Sequence, residues 1–62
     1  MSIYCKLKDG TNISFISYDE INKYANKLDI IELKHNYTGL TFFPSEILHL
    51  VNLQSLNLNV VN

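Results

Sequence analysis

Three kinds of side chain in this sequence could do chemistry: one cysteine, two histidines and six carboxylates. Cys5 sits in an apolar run with no histidine close by in the chain, so nothing nearby would make it a thiolate nucleophile. Its expected role is that of a small buried core residue. His35 and His49 stand fourteen positions apart, and no second cysteine or aspartate cluster joins them. That spacing matches no compact metal-ligand motif, so both are read as structural or solvent-facing. Glu20 and Glu46 could form an acid–base pair. Both, however, fall near the start of an expected helix, where negative charge suits the helix dipole. The sequence contains neither a glycine-rich phosphate loop nor a Ser/His/Asp arrangement. These patterns point away from an enzyme, and neither a cofactor nor a metal ion is expected.

The composition narrows the remaining classes. The chain has 62 residues, five basic and six acidic, for a formal charge of −1. Nucleic-acid binders carry a basic excess or stripe, and this chain has neither, so no nucleic-acid partner is expected. A domain this size buries only about 60% of the surface its unfolded chain exposes and is marginal without disulfides, a metal or a partner. A single cysteine excludes an internal disulfide and fits a reducing, intracellular compartment, so a cytoplasmic location is expected. The opening "MSIYCKLKDG" brings charges at Lys6, Lys8 and Asp9 before an apolar segment could form, so it is not expected to be a secretory signal. Lys34, Glu46 and both histidines interrupt the apolar runs, so no membrane span is expected.

The elements that must position these residues show a period. "LDIIELKHN" (28–36) aligns with "LQSLNLNVV" (53–61) at an offset of 25: Leu28 with Leu53, Ile31 with Leu56, Leu33 with Leu58. "DEINKYAN" (19–26) aligns with "SEILHLVN" (45–52) at an offset of 26. Leu7 precedes Leu33 by 26, and Cys5 precedes Ile31 by the same distance. Within each unit, Ile31 and Leu33 have strand spacing, while Ile21, Tyr24, Ala25 and Leu28 follow the i, i+3, i+4, i+7 pattern of a helix. Ser17 and Glu20 form an S-x-x-E capping pair, and Pro44 suits a first helical turn. Strands are therefore expected near Glu32 and Asn57, with helices over 19–27 and 45–51. Residues 3–16 fit two readings: a β-hairpin turning at Asp9-Gly10, or a degenerate first repeat.

"LDIIELKHN" resembles the leucine-rich repeat pattern L-x-x-L-x-L-x-x-N, and "LTFFPSEILHLVNLQSLNL" (40–58) looks like the rest of such a unit running into the next. The resemblance implies an α/β leucine-rich repeat solenoid fragment: a short parallel sheet with helices on the convex side. Residues 1–27 would be an N-terminal cap or degenerate repeat, 28–52 a full repeat, and 53–62 the start of the next. Leu33 and Leu58 would share one core row, and Leu40, Phe42 and Phe43 would fill the coil.

Strand alternation then defines the candidate partner-binding surface. With Ile31 and Leu33 inward, Ile30, Glu32 and Lys34 face outward, joined by Ser55, Asn57 and Asn59, and by Tyr4, Lys6 and Lys8 from the first strand. Lys6 is expected opposite Glu32. The resemblance implies a protein–protein interaction scaffold working through this concave face. The alternative is a truncated or split repeat fragment with a structural role only. The last strand, with Leu56 and Leu58, is expected to leave an open edge suited to self-association.

Overall fold

The computed structural model describes residues 2–38 and 44–61. The chain begins with a hairpin, β1 (Ile3–Leu7) and β2 (Asn12–Phe15), paired antiparallel. Its loop is Lys8-Asp9-Gly10. Gly10 donates its N–H to the Leu7 carbonyl at 2.9 Å and adopts φ +89. This left-handed conformation favours glycine and closes the three-residue form of a hairpin turn. The Asp9 carboxylate accepts from the Thr11 N–H at 2.9 Å, which braces the turn from inside. Of the two readings of residues 3–16, the structure takes the hairpin.

After β2 the chain crosses to β3 (Ile30–Thr38) by way of helix α1 (Tyr18–Lys23) and a 3-10 turn at Lys27–Asp29. Ser17 caps α1 by accepting from the Glu20 N–H at 3.2 Å, as the S-x-x-E pair predicts. Glu20 reaches back at 2.8 Å, but to the Ile16 N–H rather than to that of Ser17. The helix is shorter than expected and ends before Tyr24. Ile21 is fully buried and Tyr24 half-buried, whereas Ala25 and Leu28 lie exposed beyond the helix. Tyr24 instead meets Phe15 edge-on, with ring centroids 5.4 Å apart. The second crossover runs through a 3-10 segment (Ser45–His49) into β4 (Ser55–Val61). A 3-10 helix has three residues per turn, so Ile47 and Leu50 fall on one face and are buried, while Val51 turns outward.

The sheet order is β2-β1-β3-β4. β3 runs antiparallel to β1 and parallel to β4. This mixed sheet is not a solenoid, and the expected leucine-rich repeat stack is corrected on that ground. Cys5 and Leu7 do belong beside β3, but Cys5 lies opposite Leu33 and Leu7 opposite Ile30 in an antiparallel ladder. Stacked repeats would make every strand parallel. A parallel β3–β4 pair linked by a helical crossover is present, though its register differs from the repeat alignment: Leu33 lies opposite Leu56, and His35 opposite Leu58. The shift from the expected Leu33–Leu58 row is two residues, so every side chain keeps its face. Leu40, Phe42 and Phe43, expected to fill the interior, lie outside the described residues.

One face of the sheet forms the core. Ile3, Cys5 and Leu7 from β1, Phe15 from β2, and Ile30 and Leu33 from β3 pack against Ile21 of α1 and against Ile47 and Leu50 of the second crossover. Asn52 ties the crossovers together by donating to the Leu28 carbonyl at 2.9 Å. Two substitutions test this arrangement. Leu33 is 2% exposed at the centre of the core, so Leu33→Ala should cost about 2–5 kcal/mol in denaturant unfolding. At Gly10 an added Cβ would meet nothing within 4 Å, so the cost of Gly10→Ala is confined to the backbone. It should destabilise by about 1–2 kcal/mol, and Gly10→Asn by less, because asparagine tolerates the left-handed region.

Candidate functional site

Among the described residues, the helices cover one side of the sheet and leave the other open. On the open side the register builds a grid. One row reads Asn12, Lys6, Glu32, Ser55 across β2, β1, β3 and β4. The next reads Ser14, Tyr4, Lys34, Asn57. Tyr4, Lys6, Asn12, Glu32, Lys34, Ser55 and Asn57 border an open depression of about 250 Å³. Farther along the parallel pair, Asn59 lies opposite Asn36 and donates its side-chain N–H to the Asn36 side-chain oxygen at 2.8 Å.

Five of the expected partner-binding residues, Lys6, Glu32, Lys34, Ser55 and Asn57, therefore meet at one depression. Asn59 shares their face, two residues beyond Asn57 on β4. Ile30 does not belong there: it is fully buried in the core. The cause is a bulge. β1 moves from Lys6 opposite Glu32 to Leu7 opposite Ile30, so Ile31 is an extra residue on β3. An extra residue reverses the alternation beyond it, which turns Ile30 inward and leaves Ile31 half-buried. Lys8, expected at the end of the same face, instead joins the hairpin turn. Its backbone N–H donates to the Asp29 carbonyl at 2.9 Å, and its ammonium lies 4.0 Å from the Asp29 carboxylate.

Sequence reasoning missed Asn12. The signal for it was the Asp9-Gly10 turn: once that turn is read as a hairpin, Asn12 must lie opposite Lys6. Lys6 and Glu32 face each other as expected, but among the described residues the ion pairs lie elsewhere, at Lys8–Asp29 and Lys23–Asp19. The depression is thus bordered by two ammonium groups, one carboxylate, hydroxyl and amide side chains, and Tyr4, which is 56% exposed; Cys5 and Leu33 also line it. Such a set can donate and accept hydrogen bonds and offer an aromatic surface to a partner.

The other reactive groups lie on the opposite face. Cys5 is buried, and desolvation pushes its thiol up to about 11, so it stays protonated and a poor nucleophile. His35 is buried on β3, where its Nδ1 lies 2.7 Å from the Tyr18 hydroxyl and the two rings meet edge-on. This contact ties α1 to the middle of the sheet. His49 is exposed in the second crossover, on a different element from His35. Among the described residues no helix is long and apolar enough to cross a membrane. No protein-family model, curated protein or solved structure matches the chain.

The burial of His35 has a consequence for stability. Desolvation holds its folded-state pKa below the ordinary 6.5. Well above pH 6.5 the ring is neutral in both folded and unfolded chains and adds no pH dependence. Below it, the unfolded chain takes up a proton that the folded one resists, so stability falls until the pH reaches the folded pKa. An NMR titration of the His35 ring should give a value below 6.5, and the urea midpoint should drop between pH 7.5 and 5.5. A ring that titrates at or above 6.5 would contradict the buried placement.

Proposed function

We propose that this protein is a small protein-interaction module whose working surface is the open polar face of its sheet. One observation carries the reading: residues from all four strands converge on one depression while Ile3, Cys5, Leu7, Phe15, Ile30 and Leu33 of the same sheet are buried in the core with the helices. The exposed Tyr4 ring supplies the aromatic anchor favoured at interfaces, and the surrounding charged and amide groups supply orientation. The charges are mixed, Lys6 and Lys34 flanking Glu32, which suits a protein surface with both donors and acceptors better than a polyanion. The role is binding without catalysis. It uses most of the strand-face residues singled out in the repeat-like segment, arranged on a mixed sheet. A cytoplasmic setting is part of the reading, supported by the buried free thiol of Cys5.

Site-directed photocrosslinking tests this proposal. A benzophenone side chain introduced in place of Tyr4, Lys34 or Asn57 should crosslink in cells to one common protein partner. The same group in place of Lys23, exposed on α1, should not. Tyr4→Ala and Lys34→Glu should each reduce capture of that partner while leaving the unfolding midpoint nearly unchanged. Crosslinking only from Lys23, or capture indifferent to both substitutions, would contradict the open face as the binding surface.

A further inference from the structure

We propose that β4 pairs edge to edge with β4 of a second copy of this chain, antiparallel about a two-fold axis, so that two sheets become one. β4 is an outermost strand and pairs with β3 along its whole length, from Glu32–Ser55 to Thr38–Val61. Among the described residues no strand pairs with its other side, which turns backbone N–H and C=O groups outward. Edge strands are usually protected by charge, proline, bulges or shortness. Ser55–Val61 is seven residues long and contains no charged residue, proline or glycine. The opposite edge, β2, is only four residues long.

The choice of a second copy rests on charge and pattern. An uncharged edge can meet its own copy without like-charge repulsion. Leu56 and Leu58 lie on the helix-covered side of β4, with Asn57 and Asn59 on the open side. Antiparallel pairing centred on Leu58 sets Leu58 against its own copy and Asn57 against the copy's Asn59. Apolar side chains then meet apolar ones and amides meet amides, which is a self-complementary arrangement. Leu56 is 43% exposed although it is on the core side, so its own core covers it incompletely and a second copy would finish the task. The two-fold axis stands perpendicular to the sheet and keeps both open polar faces on one side. The dimer would thus present two copies of the depression to a partner, and avidity would follow. The pairing does not depend on the proposed role of that depression.

Sedimentation equilibrium of the full chain from micromolar to millimolar concentration should show a monomer–dimer equilibrium. Amide exchange by NMR should show β4 gaining protection as the dimer fills, with β2 unchanged. Leu56→Lys places a charge on the core side of the pairing, and Asn59→Lys places one on the open, exposed side. Each should weaken dimerisation about tenfold or more. Should Leu56→Lys fail to fold, Asn59→Lys decides the question alone. A chain that stays monomeric at millimolar concentration would overturn the proposal. So would a dimer unaffected by Asn59→Lys, concentration-dependent protection at β2 instead of β4, or β4 protected only by a different protein.

Discussion

The structure depends on β3 pairing on both sides. On one side it runs antiparallel to β1, and on the other parallel to β4. Each pairing imposes a different connection. The antiparallel neighbour is one arm of a hairpin closed by a three-residue loop, and the parallel neighbour requires a crossover long enough to return the chain to the same end. Because β2 and β3 are both antiparallel to β1, they run parallel to each other, and α1 bridges them across β1. Both helical crossovers must then lie over the sheet, and they bury the face that carries Ile3, Cys5, Leu33 and His35. The open face follows from this: with the helices on one side, the polar side of the sheet is left open among the described residues.

Local features are legible in the chain. The Asp9-Gly10 pair announces a hairpin, Ser17 announces a helix start, and the Leu/Asn alternation of 56–59 announces a strand with two unlike faces. Each is a short-range signal, set by backbone conformation, capping or the period of two. Strand parity along 32–35 is also legible, which is why the alternation alone assigns Lys6, Glu32, Lys34, Ser55 and Asn57 to one surface, where the fold brings them together.

Direction and register are not legible. The offset of 25 between 28–36 and 53–61 records that two similar strands recur, but it does not say how they pair. The pairing slides by two residues, which places Leu33 opposite Leu56 without exposing an apolar face. An apolar pattern also cannot distinguish a parallel neighbour from an antiparallel one, so Cys5 and Leu7 fit a repeat frame that the hairpin overrides. The bulge at Ile31 escapes for a related reason. In the run Ile30-Ile31 either residue could face inward, and the ladder with β1 decides which one does. The second crossover winds as a 3-10 segment and the first helix stops before Tyr24, so a spacing of 3.6 assigns Val51, Ala25 and Leu28 to a stripe they do not join.

The relative direction of β1 and β3 separates this fold from a stack of repeats, and it can be measured without reference to function. In an antiparallel ladder, directly opposed residues in non-hydrogen-bonded pairs bring their Cα atoms to about 4.5 Å, which yields strong Hα–Hα nuclear Overhauser effects. The register places Tyr4 opposite Lys34, Cys5 opposite Leu33, and Lys6 opposite Glu32. NOE spectroscopy of the labelled chain should show strong Hα–Hα contacts at alternate members of this series, and no such series between β3 and β4. An absence of these contacts between β1 and β3, with a parallel pattern in their place, would contradict the mixed sheet on which the open face and the β4 edge both depend.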